Sequence, residues 1–200
     1  MNKFNSILLS FFFTIIGCKE NISNTDSNQN LQSLTMQNKK VEYGQKFFDF
    51  DEVDYYSIEI SEEDAMKLMD ENSTRLSQQK SDIILNDEFP KTIADIDFIK
   101  DFNKFGFKKY QIAPANFEDL NKIFVEKTEQ DRIDFACIPI FRDILVFKKD
   151  NKNIGFAKIC FDCHQYHIVG SIVNTENFGQ GDDFEKLDSI LNRNHHQIKK

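Results

Sequence analysis

The stretch RDILVFKKDNKNIGFAKICF, Arg142 to Phe161, decides the fold. Two apolar runs flank Asp150, Asn151, Lys152 and Asn153, residue types that tolerate a tight turn. The stretch predicts a β-hairpin turning at Asn151 and Lys152, so that the numbers of facing residues sum to about 303. QYHIVGSIV, from Gln165, supplies a third strand. An antiparallel β-meander in the C-terminal half leaves a sheet that needs cover, and the rest of the chain offers helices for it.

Upstream, DYYSIEI (Asp54 to Ile60) alternates apolar and polar residues, as a half-buried strand does. SEEDAMKLMDENSTRL follows, with Ser61 as cap, acids in the first turn, and Ala65, Leu68 and Met69 on one face, which predicts a helix. A second helix starts at Thr92, runs through Ile93, Ile96, Ile99, Phe102 and Phe105, and stops at Gly106. FKKYQIA (Phe107 to Ala113) reads as a short strand. A third helix is capped by Asn116 and faces Phe117, Leu120, Ile123 and Phe124 inward. TEQDRID is a polar loop, and DDFEKLDSILNRN closes the chain as an amphipathic helix. The expected class is α+β, a C-terminal antiparallel β-meander packed with several amphipathic helices.

The chain has 200 residues, 21 of them Phe and none Trp, and a net charge of −8. An acidic chain without a basic run speaks against nucleic acid as a partner. Residues 1–17 have the layout of a secretory signal: Lys3, an apolar run from Ile7 to Ile16, then the small Gly17. The run is too short to cross a bilayer of ~30 Å as a helix. Residues 18–44, rich in Asn, Ser and Gln, are expected to be a flexible polar tether. Residues 45–200 are expected to form a single domain.

KICFDCHQYH contains Cys160, Cys163 and His164 as CxxCH, the spacing of c-type haem attachment. Its flanks read as strand, and no methionine is well placed as a second axial ligand. A zinc site would use Cys160, Cys163, His164 and His167, but an extended chain points alternate residues to opposite faces. His195 and His196 lie in a polar C-terminal tail. A thioredoxin-like CxxC opens a helix, and none is expected at Cys163. A structural role is favoured, either a disulfide or buried thiols among Cys137, Cys160 and Cys163. With a turn at Asn151, Cys163 falls near Ile140, within reach of Cys137, although a bond between Cys160 and Cys163 stays open.

Other groupings read as scaffold. Arg142 and Asp143 face opposite ways and pair elsewhere. Asp49, Asp51, Glu52 and Asp54 read as a solvated acidic stretch without the glycine of a calcium loop. FGQGDDF reads as a loop capped by an aspartate. Phe47, Phe48, Phe50, Tyr55 and Tyr56 form an aromatic run that, if exposed, would dock a partner. No GxSxG, HExxH or P-loop motif occurs. No catalytic residue, cofactor or metal ligand is assigned.

IIGC at Cys18 resembles the lipobox of bacterial lipoproteins. Together with CIPIFRDILVF, KICFDCH and NTENFGQGDDFEKL, it is similar to small lipoproteins of Bacteroidota, of flavobacterial type. The resemblance implies that Cys18 is lipidated and becomes the mature N-terminus. It implies a membrane-anchored place in the cell envelope, and it carries no catalytic residue. Lys19 is not the retention aspartate of enteric bacteria, which points to the outer membrane. Lys19 followed by Glu20 resembles a surface-export signal with a single acid. The functional expectation is a non-catalytic binding or interaction module with a possible protein partner in the envelope. The alternative is a c-type haem or thiol redox protein built on Cys160, Cys163 and His164.

Overall fold

A computed structural model describes residues 41–70, 74–129 and 137–197. The signal, Cys18 and the tether up to residue 40 lie outside these residues, as does most of the TEQDRID loop. Tyr43–Lys46 (β1), which starts within residues expected to be tether, pairs with Val125–Lys127 (β4) as a two-stranded ribbon.

The main sheet has five strands, all antiparallel, in the order β3-β2-β5-β6-β7. These are Glu52–Ser57 (β2), Lys108–Gln111 (β3), Asp143–Lys149 (β5), Lys152–Cys160 (β6) and Gln165–Val169 (β7). The predicted meander is the β5-β6-β7 part, and β2 and β3 extend it. The turn falls one residue earlier than expected, with φ of 48° at Asp150 and 61° at Asn151. Two positive φ values suit the right-handed twist of a hairpin. Asp51 Oδ2 accepts the Asp150 amide at 3.1 Å and holds this turn.

Both faces of the sheet are covered. Leu145, Phe147, Ala157 and Ile159 point to one face, together with Val53 and Tyr55. Phe117–Ile123 (α4) and Asp183–Gln197 (α5) cover it with Leu120, Ile123, Phe184, Leu187, Ile190 and Leu191. Ile144, Val146 and Phe156 point to the other face. Glu62–Met66 (α1), Arg75–Ile84 (α2) and Phe102–Phe105 (α3) supply Ala65, Ile83, Ile84, Phe102 and Phe105 there. The result is three layers. Successive strand residues feed opposite cores, and burying each phenylalanine is worth about 1.5–3 kcal/mol.

Several local expectations change. β2 is buried on both faces, because β3 and β5 flank it and helices cover it on each side. Phe47, Phe48 and Tyr55 are buried in one core with Phe50 packed against it, and Tyr56 is buried in the other, so the aromatic run is core and no docking patch. Ser61 Oγ does accept the Asp64 amide at 3.0 Å, but α1 is short and passes into a 3-10 turn at Lys67–Met69. Ile93–Asp101 is a 3-10 helix, continued by α3 and closed at Gly106 with φ of 94°. Asn116 makes no side-chain cap; it ends a 3-10 turn, Pro114–Asn116, that leads into α4.

Candidate functional site

The cysteine motif sits where β6 turns into β7. Cys160 is the last residue of β6 and faces Gln165, so Phe161 to His164 form the connecting turn. Cys163 is disulfide-bonded to Cys137, with the Cα atoms 6.0 Å apart. The expected reach from Cys137 is met although the register differs: Asp143 faces Ile159 rather than Cys160. Cys160 keeps a free thiol and is buried with Cys163 and Phe141 in a small cluster of its own. Cys137 is exposed.

The histidines of the motif diverge. His164, at φ of 49°, stacks on Phe184 with ring centroids 4.6 Å apart and planes 9° from parallel. His167 Nε2 lies 2.6 Å from the carbonyl oxygen of Pro90, on the opposite face of the sheet. Burial lowers the His167 pKa, which favours the neutral ring. Among the described residues, no three His, Cys, Asp or Glu side chains gather as a metal site. His195 and His196 fall within α5, and their side chains lie outside the described ones.

Four buried polar groups escape a reading of the sequence. Lys158 is fully buried and donates to the carbonyl oxygens of Ile83 (3.1 Å) and Asn86 (2.5 Å) at the end of α2. Its Nζ lies 4.5 Å from the centre of the Phe141 ring. A cation suits the negative end of a helix, yet burial brings this ammonium down to about 7. Lys127 donates to Ile123 O at 3.1 Å and forms a buried ion pair with Asp183. That pair ties the end of α4 to the start of α5. Burial pushes Lys127 down and Asp183 up, toward their neutral forms. Asp183 is therefore an internal clamp, where the sequence suggested a surface cap.

Asp54 is also buried, ion-paired with Lys109 at 2.7 Å and with Lys148. It therefore leaves the solvated acidic stretch expected around it. Tyr55 donates to Asp143 Oδ1 at 2.5 Å. Burial raises Asp143 to about 6, against the opposing effect of the Tyr55 hydrogen bond, and nearby Asp188 adds to the rise. Arg142 donates from Nε to Ile60 O at 2.9 Å and from Nη1 to Asp162 at 2.8 Å. Arg142 and Asp143 thus have separate partners, as expected. The one sequence sign of Lys158 is its place inside the apolar run IGFAKICF, a strand end buried on both faces.

A cleft of about 880 Å³ opens between β1, α4 and α5. Ile123, Val125 and Ile190 line it, with Tyr43 and Lys46 on the β1 side. Its other lysines are paired within the helices: Lys122 with Glu118 (3.0 Å) and Asp119 (3.2 Å), and Lys186 with Asp182 (2.7 Å). Polar side chains border an apolar base.

No family model, curated protein or solved structure matches this chain. Among the described residues, no helix is long and apolar enough to cross a membrane.

Proposed function

We propose that this chain is a cell-envelope lipoprotein, anchored in the outer membrane through acylated Cys18, whose domain is a non-catalytic binding module. The observation that carries the reading is the Cys137–Cys163 disulfide. Such bonds persist in oxidising compartments outside the cytoplasm, where the signal-like residues 1–17 would send the chain. The open cleft beside β1 supports a binding role, as a concave surface with an apolar base and polar walls.

The haem reading has less support. Thioether attachment needs the sulfurs of both Cys160 and Cys163, and Cys163 is bonded to Cys137. Its histidine would have to leave the Phe184 ring.

The test is the intact mass of the protein from its native membrane, before and after reduction and alkylation. Acyl chains that disappear in Cys18→Ala, with two further alkylation sites released by reduction, would support the anchored, cross-linked reading. A mature protein without acyl chains would sink the anchor. A haem-sized increment that survives denaturation would make the CxxCH an electron-carrying centre.

A further inference from the structure

Cys160 is a buried thiol placed against a disulfide. Cys160 and Cys163 are the first and fourth residues around the β6–β7 turn, and Gln165 pairs back with Cys160. Residues at those positions of a tight turn have Cα atoms within ~7 Å. That spacing overlaps the range a disulfide can bridge. Cys163 is bonded to Cys137 and shares its small buried cluster with Cys160. The two differ in exposure: Cys160 is 2% exposed, whereas Cys137 faces solvent.

We propose that the three cysteines form an internal thiol–disulfide exchange, and that Cys137 is thereby a site at which the protein forms mixed disulfides with other molecules. The Cys160 thiolate attacks Cys163 Sγ. The Cys160–Cys163 bond forms, the Cys137–Cys163 bond breaks, and the electron pair leaves on Cys137. The proton lost by Cys160 is regained by Cys137, so no oxidant or reductant is consumed. One amine borders the cluster to take that proton in transit: Lys158 lies on the same face of β6 as Cys160, with its Nζ over Phe141, the ring that packs on Cys160 and Cys163. Its pKa near 7 leaves much of it neutral at neutral pH. The exchange carries a thiol from the core to the surface. There the Cys137 thiolate attacks a disulfide of another molecule, forms one new S–S bond and releases that molecule's second sulfur as a thiol. A minor population suffices, because the mixed disulfide traps it. This inference goes beyond the binding reading and does not depend on Cys18.

The experiment exposes the folded, oxidised protein to oxidised glutathione, quenches with acid, and maps its sulfur linkages by mass spectrometry without reduction. The expected result is a glutathione adduct on Cys137 together with a Cys160–Cys163 bond, and loss of that adduct in Cys160→Ala. Cys160→Ser serves if the alanine variant fails to fold. In Cys137→Ala, the remaining pair should oxidise to Cys160–Cys163. Three results would overturn the proposal: no adduct on the folded wild-type protein, an adduct on Cys160, or an equal Cys137 adduct when Cys160 is absent.

Discussion

Lys158 gives the sharpest test of how this core is held. Its ammonium falls from an ordinary value of 10.5 to about 7 in the folded chain, with burial as the cause. Between those values the unfolded chain holds a proton that the folded chain does not. Stability must therefore rise with pH across that window, with a slope approaching 1.4 kcal/mol per pH unit. Below about pH 7 both states are protonated, and the full cost of burying the charge is present. From about pH 6.5 to about pH 9.5 this one group adds about 3 kcal/mol to the stability of the wild-type protein. Lys158→Met removes the titration and also leaves the carbonyl oxygens of Ile83 and Asn86 without their donor. That second loss is independent of pH and costs about 1–3 kcal/mol. Urea unfolding of both proteins at each pH separates the two effects, because other titrating groups largely cancel in the difference. The stability of wild type relative to the variant should climb by about 3 kcal/mol across the range. A difference that stays flat would refute the buried, neutralising lysine.

Three further outcomes are expected. Replacing Cys137 and Cys163 together by alanine removes a link spanning 26 residues, which should cost about 3.5 kcal/mol on loop closure, read as a lower urea midpoint. Gly155→Ala places a Cβ 2.4 Å from the Phe48 ring in a core with no slack, so thermal unfolding should show a loss of about 1–3 kcal/mol. Tyr55→Phe removes the donor that holds Asp143 down, so the Asp143 carboxyl, followed by carbon NMR, should titrate above its present value of about 6; an unchanged or lower value would mean that the hydrogen bond does not matter.

The meander was legible because β5 and β6 carry long apolar runs around a turn of Asp and Asn. α5 was legible because Phe184, Leu187, Ile190 and Leu191 repeat at helical spacing, and all four are buried. The helix from Ile93 was legible in its apolar residues, and their recurrence at every third position is the period of the 3-10 helix that it forms up to Asp101. Thr92 and Asp95 start it with bonds of 2.8 and 2.9 Å between them. α2 escaped notice because its apolar face is thin: Leu76, then Ile83 and Ile84 at the far end. β1 and β4 are too short, and β1 too exposed, to leave an alternating pattern. At the candidate site, hairpin geometry showed that Cys137 could reach Cys163 but did not choose between that bond, Cys160–Cys163 and buried thiols. The buried lysines were not, because a lysine reads as a surface residue until the helix end that receives it is known.

The strand order also sets a timetable. β2 is made early, yet it lies between β3 and β5, and Tyr55 meets Asp143 across 88 residues of sequence. A chain that emerges N-terminus first cannot close the middle of its sheet until nearly three quarters of it has appeared. β2 presents two bare edges until β3 appears and one until β5 does, with Tyr55 and Tyr56 uncovered meanwhile, and a bare strand edge is prone to join a neighbouring chain. Whatever holds the chain during synthesis must keep that strand apart from its neighbours until its partners arrive.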